Sequence, residues 1–300
     1  MTKPTALVLM ERSGIPGSLL ARLESAVSVL WLAAGQEDTA DVRLLVTANA
    51  ELNSAYLRRF PVLGGIVLTG TAADYVDLDH CREHGIVVSN TPSYTGSSVA
   101  EHALALALAS NRYLLPLDAA TRTDARPPSP LARELAGKVA GIIGLGEIGG
   151  RLATLLRGLD LRVLFVNRSR REHPGAEQVE LDRLLMEADF VFLTLPLTPQ
   201  TFHLLDAQAF ALMRPTARVV NVSADELIDP APLAAALRNG RIAGAALDVI
   251  GSPAPFLDLP NTILTPTCGW YTQEAVYRRA ETWVETVQAF VAGSPRYVVS

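Results

Sequence analysis

The chain has 300 residues, 49% hydrophobic and 19% charged, with 26 Lys plus Arg against 31 Asp plus Glu and a net charge of −5. That length and apolar content describe a well-cored globular protein of two domains, and the acidic balance argues against a broad nucleic-acid footprint. Cys81 and Cys268 fit neither a zinc pattern nor Cys-x-x-Cys, and no apolar stretch reaches the length of a membrane span.

The first apolar run, Ala6–Met10, is shorter than a signal peptide requires, so cytoplasmic residence with reduced thiols is expected. Ala6–Met10 reads as a strand and Gly17–Ala26 as a helix. Strands follow at Val27–Leu32 and Leu44–Thr47, a helix at Glu51–Phe60, a strand at Gly65–Gly70, a helix at Asp77–His84 and a strand at Ile86–Asn90. This β/α rhythm predicts a parallel, doubly wound sheet. A long helix is expected at Ser98–Leu115, then a proline-rich loop at Thr121–Pro130. Strands recur at Val139–Ile143, Arg162–Val166, Phe190–Leu195, Val219–Val222, Ala243–Val249 and Thr262–Leu264. Asp229 caps a helix opening at Pro230 and closing at Asn239-Gly240, and a final helix covers Gln273–Ala292.

The segment Lys138–Arg171 carries the most information. Gly144, Gly146 and Gly149 form Gly-x-Gly-x-x-Gly directly after the apolar run Val139–Ile143, with a helix and a second strand behind. In that context the first glycine permits a tight turn, the second lets a pyrophosphate approach the backbone, and the third lets the helix pack close to the strand. The helix then offers its unpaired N–H groups and the positive end of its dipole to the phosphates.

An NAD-binding unit usually carries an acid about 20 residues past the glycines, for the ribose 2′-hydroxyl. Here the second strand ends in Asn167, followed by Arg168, Ser169, Arg170 and Arg171. No carboxylate stands there to repel a 2′-phosphate, and guanidinium suits phosphate geometry, so NADP is expected over NAD. The other reading is a solvated basic turn.

Over nearly its whole length the chain resembles the D-isomer-specific 2-hydroxyacid dehydrogenases. The resemblance is carried by Gly70–Leu78 (GTAADYVDL), Val87–Ala109, the GLGEIG turn, Leu195–Thr201 (LPLTPQT), Gly240–Val249 (GRIAGAALDV) and Ile263–Pro266 (ILTP). It implies an α/β fold of two doubly wound parallel-sheet domains. A Rossmann nucleotide domain (98–275) would be inserted in a flavodoxin-like substrate domain (1–97 plus 276–300). It implies hydride transfer between a nicotinamide and C2 of a 2-keto or 2-hydroxy acid in the interdomain cleft of a homodimer. The basic turn after Asn167 is similar to that of the NADP-using glyoxylate and hydroxypyruvate reductases.

Carried onto this sequence, the resemblance gives a cofactor set of Gly144, Gly146, Glu147, Ile148, Gly149, Asn167, Arg168, Ser169, Arg170, Arg171, Leu195, Pro196, Thr201, Val222, Ser223 and Asp248. Asp248 would bond the nicotinamide carboxamide. The amides of the Gly70–Ala73 loop, with Thr71 and with Ala72 where many members have glycine, would receive the substrate carboxylate. No metal is implied.

The family's chemistry rests on an Arg for the substrate carboxylate, a His for the hydroxyl proton and a Glu that orients the His. The Arg position holds Ala224, in Val220-Asn221-Val222-Ser223-Ala224-Asp225. No acid follows Leu247-Asp248-Val249 through Pro255, and Thr265-Pro266 is followed by Thr267 instead of His. Among His80, His84, His102, His173 and His203, only His102 lies near the hinge. Losing the charge-assisted pair forfeits about 1.5–3 kcal/mol, and losing acid–base help roughly 10²–10⁴-fold in rate.

Ordinary keto-acid reduction is therefore not expected. Thr267 and Tyr271 become the candidate catalytic groups, with Trp270 and Tyr94 as substrate walls; Cys268 lacks a basic partner, and Asp225 and Glu226 also read as a solvated turn. The leading expectation is an NADP-dependent oxidoreductase with a rebuilt pocket, acting on an imine or iminium or on a larger carbonyl compound. The alternatives are a non-catalytic NADP(H)-binding protein, and a lyase or cyclase using the cleft without net redox change.

Overall fold

Strand β1 (Thr5–Leu9) buries Ala6 and Val8 on one face and Leu7 on the other, as the two-residue period of a strand dictates. It lies in a computed structural model that describes residues 3–31, 40–123, 131–248 and 251–299. The chain folds into two compact units: unit 1 is Met1–Tyr94 with Thr272–Ser300, and unit 2 is Thr95–Tyr271.

In unit 1, β1, β2 (Ser28–Trp31), β3 (Val42–Thr47), β4 (Gly65–Leu68) and β5 (Val87–Ser89) form a parallel sheet in the order β2-β1-β3-β4-β5, the flavodoxin-like winding. Helices α1 (Gly17–Ala26), α2 (Ser54–Leu57) and α3 (Leu78–Glu83) link the strands. One face of the sheet packs Leu7, Leu45, Ile66, Leu68 and Val88. The other packs Ala6, Val8, Leu44, Val46 and Val67 against Trp283, Val284 and Val287 of the C-terminal helix. That helix approaches so closely that a methyl group on Gly65 would lie 2.3 Å from the Phe290 ring.

Unit 2 runs α4 (Gly96–Asn111), α5 (Leu114–Arg122), β6 (Val139–Ile143), α6 (Glu147–Arg157), β7 (Arg162–Val166), β8 (Ala176–Gln178), α7 (Leu181–Glu187), β9 (Phe190–Leu193), α8 (Ala207–Leu212), β10 (Arg218–Asn221), α9 (Pro230–Arg238), β11 (Gly244–Leu247) and β12 (Thr262–Leu264). The chain then re-enters unit 1 as α10 (Gln273–Val291). The seven strands are parallel in the order β12-β11-β10-β9-β6-β7-β8. This is the dinucleotide-binding winding with one added strand, and the order reverses between β6 and β9, where such sheets open a crevice at their carboxyl ends. Each unit is thus built on a parallel α/β sheet, as the sequence pattern implied.

Several element boundaries differ from expectation. The helix expected over Glu51–Phe60 shrinks to Ser54–Leu57, because Leu52 pairs with Val76 and Asn53 caps the helix by accepting from the Tyr56 N–H. The helix expected over Ser98–Leu115 is two, broken at Tyr113, which holds φ at 52° with the Arg218 guanidinium 5.0 Å from its ring centroid. Thr121 and Arg122 belong to α5 and not to the expected loop, whose residues 124–130 lie outside the described residues. Leu32 and Val249, ends of two expected strands, also lie outside them. β8, α7 and α8 are short elements the pattern did not reveal. No helix among the described residues is long and apolar enough to cross a membrane.

Candidate functional site

The glycine turn of unit 2 shows three different constraints. Gly144 has φ of 98°, and a methyl group there would meet the Thr194 carbonyl oxygen at 2.8 Å and Leu195 Cβ at 2.7 Å. A methyl on Gly149 would lie 2.2 Å from the Gly144 carbonyl oxygen, so only glycine lets α6 start this close to β6. Gly146 is the reverse: nothing lies within 4 Å of the side-chain position. It is the N-cap of α6 and supplies no side-chain cap, so the first-turn amides of Glu147 and Ile148 have no capping acceptor of the usual kind. An open backbone face at a helix start fits the pyrophosphate of a dinucleotide.

The end of β7 is held to this turn. Asn167 Oδ1 accepts from the Leu145 N–H at 3.3 Å, and Asn167 Nδ2 donates to the Ser169 carbonyl at 3.0 Å. Arg171 donates through Nη1 to the Leu145 carbonyl at 3.3 Å, and its N–H donates to Gln178 Oε1 at 2.9 Å. Arg168, Ser169 and Arg170 are exposed. Arg170 and Arg171 line a cavity of about 570 Å³ with Asn167, Glu172, His173 and Gln178. Across the crevice, the Ser223 hydroxyl donates to the Leu195 carbonyl, and Thr201 Oγ1 donates to the Pro196 carbonyl at 3.0 Å. Val222 is buried beside them. These candidates thus gather at the carboxyl ends of β6, β7, β9 and β10.

Asp248, past the end of β11, is buried and organises the loop after β12. Its Oδ1 accepts from Thr265 Oγ1 at 2.6 Å and from the Cys268 N–H at 2.9 Å; Oδ2 accepts from the Gly269 N–H at 2.9 Å. His102 Nε2, from α4, lies 3.3 Å from both Asp248 Oδ1 and Thr265 Oγ1. Burial opposes the Asp248 charge, but these bonds and His102 outweigh it and hold the carboxyl below its ordinary range. His102, Asp248 and Cys268 place ligand-type atoms within 4.8 Å of one another, a spacing a metal accepts, although N–H and O–H donors already occupy both carboxylate oxygens. Burial and the Asp248 charge push the Cys268 thiol above its ordinary value, which disfavours the thiolate.

Thr267 sits at φ of 56° with its N–H on the Asp248 carbonyl at 2.5 Å. That is an uncommon conformation for a β-branched residue. Trp270 packs against the core of unit 2, and Tyr271 stands 70% exposed with its ring edge-on to Trp270 at 5.2 Å. Ala224 opens a short 3₁₀ turn, Asp225–Leu227, and its carbonyl accepts from Asn221 Nδ2 at 2.7 Å. Asp225 Oδ2 accepts from the Gly251 N–H at 2.6 Å, tying the loop after β10 to the loop after β11. A hydrogen bond between the two side chains holds Asp225 below and Glu226 above the ordinary carboxylate range. Asp225 is half-buried and Glu226 exposed, and both line a cavity of about 190 Å³.

The remaining candidates belong to unit 1. The turn after β4 has its carbonyls occupied: Thr69 accepts from Arg279 Nε at 2.6 Å, Gly70 from the Thr91 N–H at 3.0 Å and Thr71 from Asn90 Nδ2 at 2.9 Å. Thr71 and Ala72 are exposed. The Tyr94 carbonyl accepts from Arg278 Nε at 3.2 Å and Nη2 at 3.1 Å. Burial raises the Tyr94 phenol, with Arg279 pulling the other way. Sequence reasoning missed the bond from Arg279 to the Thr69 carbonyl. The only signal was a pair of arginines, Arg278-Arg279, on a helix whose neighbours Ala275, Ala280 and Trp283 are buried.

Comparison with known proteins gives one family. The family model described as D-isomer specific 2-hydroxyacid dehydrogenase, NAD binding domain, matches residues 104–269. A glyoxylate reductase of Pyrococcus furiosus is 34% identical over 274 residues, covering 86% of this chain and 82% of that protein. Among solved structures, an acyclic imino acid reductase in complex with NADPH and D-Arg superposes with a TM-score of 0.89 at 25% identity, covering 99% of this chain and 100% of that one. An NADPH-dependent glyoxylate/hydroxypyruvate reductase of Sinorhizobium meliloti, in complex with NADP and malonate, gives 0.84 at 28%, covering 100% and 97%. With the matching fold, the intact glycine turn and these relatives in view, the chain belongs to the D-isomer specific 2-hydroxyacid dehydrogenase family of oxidoreductases, and residues 104–269 match its NAD-binding domain.

Proposed function

We propose that this protein is an NADPH-dependent reductase of C=N substrates, an imino acid reductase, and not a reductase of simple 2-keto acids. The observation that carries the reading is an open glycine turn at the start of α6, in a unit whose acid–base positions hold Ala224 and Thr267, with no acid over residues 251–255. The likeness to an acyclic imino acid reductase supports it.

Bound NADPH supplies a hydride. Reduction of a ketone then needs a proton delivered to oxygen, for which a positioned donor is worth roughly 10²–10⁴-fold. An iminium arrives already protonated, becomes a neutral amine when its carbon accepts hydride, and needs no such donor. Its positive charge also prefers a pocket without Arg or protonated His, since like charges repel. The charged groups of the loops after β10 and β11 are Asp225, Glu226, Asp229, Asp248 and Asp258, all acidic. Trp270 and Tyr271 offer an aromatic wall that suits a cation. Thr267 offers a hydroxyl that orients the substrate.

On the nucleotide side, Gly144, Gly146 and Gly149 with the α6 amides would hold the pyrophosphate, and Arg168, Ser169, Arg170 and Arg171 the 2′-phosphate. Asp248 Oδ2, which accepts from the Gly269 N–H, retains a second lone pair for the carboxamide. The working form is taken to be a cytoplasmic homodimer.

The test is single-turnover oxidation of NADPH across a panel of imines formed from 2-keto acids and amines, the same keto acids alone, and ketones. Imine mixtures should exceed the matched keto acid by about tenfold or more, given the absent acid–base help. Brisk turnover of glyoxylate or pyruvate alone overturns the reading. NADPH binding without turnover of any substrate makes the protein a nucleotide-dependent binder instead, and product formed with NADPH unchanged makes it a lyase or cyclase.

A further inference from the structure

Three separate segments of unit 2 bring a His, an Asp and a Cys to one point. His102 lies on α4, Asp248 follows β11, and Cys268 lies in the loop after β12. Their ligand atoms fall within 4.8 Å of one another, and no other three such side chains do so among the described residues. His102 Nε2 stands 3.3 Å from Asp248 Oδ1, and Cys268 Sγ stands 3.6 Å from the same oxygen. The first distance exceeds an ordinary N–H···O bond of about 2.7–3.2 Å. Both distances match the edges of a zinc tetrahedron. Bonds of about 2.0–2.1 Å to nitrogen, about 2.0–2.2 Å to oxygen and about 2.3 Å to sulfur set N and O about 3.3–3.5 Å apart, and O and S about 3.5–3.7 Å apart. Gly269 keeps the cluster tight, since a methyl group there would lie 2.9 Å from both Asp248 Oδ2 and His102 Cδ2.

We infer that His102, Asp248 and Cys268 bind zinc, or a divalent ion of the same class, with a fourth position open to water. One nitrogen, one oxygen and one sulfur donor suit zinc, whereas magnesium and calcium need oxygen ligands. A carboxylate and a thiolate together balance the two charges of the ion, and the coordinated thiol gives its proton to solvent. The donors now on Oδ1 leave room for this. The Cys268 N–H at 2.9 Å is fixed and takes one lone pair, whereas the Thr265 hydroxyl at 2.6 Å turns about a single bond and can vacate the other. Asp248 is buried while His102 and Cys268 are half-buried, so the ion approaches from their side. The site belongs to unit 2 alone and stands independent of the C=N reading.

The experiment uses the whole chain, treated with chelator and freed of nucleotide. Zinc is titrated by calorimetry, and cobalt(II) by absorbance as a spectroscopic stand-in. The unaltered protein should bind one zinc per chain and should give with cobalt both a thiolate-to-metal charge-transfer band and the visible bands of a four-coordinate ion. Zinc should also raise the thermal midpoint, as any ligand of the native state does. Cys268→Ser and His102→Gln should each weaken zinc binding by at least about 10- to 100-fold, the loss that removing even an outer partner of a metal ligand causes. Cys268→Ser should abolish the charge-transfer band. His84→Gln, which removes an exposed histidine of unit 1, should change nothing. No zinc bound by the unaltered protein overturns the proposal, as does equal affinity in Cys268→Ser and His102→Gln. A cobalt spectrum without the thiolate band overturns it on the unaltered protein alone, whatever the variants do. Zinc binding lost in His84→Gln would assign the ion to surface histidines and overturn it too.

Discussion

A methyl group on Gly149 would stand 2.2 Å from the carbonyl oxygen of Gly144, whereas one on Gly146 would touch nothing within 4 Å. The two glycines therefore serve different ends. Gly149→Ala must push α6 off β6 and should cost about 1–3 kcal/mol of stability, as overpacking does. Gly146→Ala should leave stability within about 0.5 kcal/mol, like other unpacked surface changes, yet weaken nucleotide binding by filling the open face. Thermal unfolding and nucleotide titration of both variants separate the effects. Nucleotide affinity unchanged in Gly146→Ala would contradict the cradle assigned to this turn.

Asn167 occupies the position where an NAD-binding unit usually carries an acid, and its amide already accepts from Leu145. Asn167→Asp keeps that acceptor while adding a negative charge beside Ser169 and Arg170. The change should weaken NADPH binding about tenfold or more, the usual scale of a repelled or lost charge-assisted contact, and should spare or improve NADH. Titrating both nucleotides into both proteins checks it. A variant that retains the NADPH-to-NADH ratio would mean that the 2′-phosphate lies elsewhere.

The winding of both sheets was legible in the sequence because buried parallel strands are continuous apolar runs, as in Val139–Ile143 and Phe190–Leu193, separated by helix-length segments. Short elements were not. β8 has three residues with none fully buried, so it carries no periodic signal. The break at Tyr113 depends on Arg218, more than a hundred positions away, which sits over its ring and bonds Ser110 at 2.9 Å. The glycine turn and the three departures at the acid–base positions could be read off directly. The contact of Arg279 with Thr69 could not, because it is a tertiary bond that no local pattern encodes. The locking of Asp248 by two backbone N–H groups was equally invisible, since such donors leave no trace in residue type.

Asp248 makes stability pH-dependent in a definite direction. Its native carboxyl lies below the ordinary value of 3.8, so the stabilisation is fully present above that pH and is lost as pH falls toward the native value. Asp248→Asn replaces one acceptor oxygen by a donor facing the Gly269 or Cys268 N–H. It should cost about 1–3 kcal/mol at neutral pH, the usual cost of leaving a buried polar group unsatisfied. The gap between the two proteins should close as pH falls from 3.8 through the lower native value, where the native carboxyl takes up a proton as well. Urea unfolding at a series of pH values measures the gap. A gap that stays constant through the acid range would show that the charge of Asp248 contributes nothing.

Thr267 joins backbone strain to the vacant acid–base position. A β-branched residue at φ of 56° is costly, and such outliers cost roughly 1–3 kcal/mol when the surroundings enforce them. Thr267→Gly should therefore raise stability by about 1 kcal/mol, the scale of relieving a left-handed non-glycine residue. If the hydroxyl orients the substrate, the same variant should lower kcat on imines while NADPH affinity holds. Thr267→His tests the chemistry from the other side, because histidine tolerates this backbone region better and carries a transferable proton. No carboxylate over residues 251–255 is present to orient the new ring, so only part of the usual acid–base gain should appear: about tenfold in glyoxylate reduction, against the roughly 10²–10⁴-fold of a fully supported donor. Imine reduction by this variant should fall as pH drops through about 6.5, where an unperturbed imidazole becomes charged and repels an iminium. Steady-state rates on both substrate classes across that range give the answer. A variant that gains nothing on glyoxylate and keeps a flat imine profile would place the reaction away from Thr267.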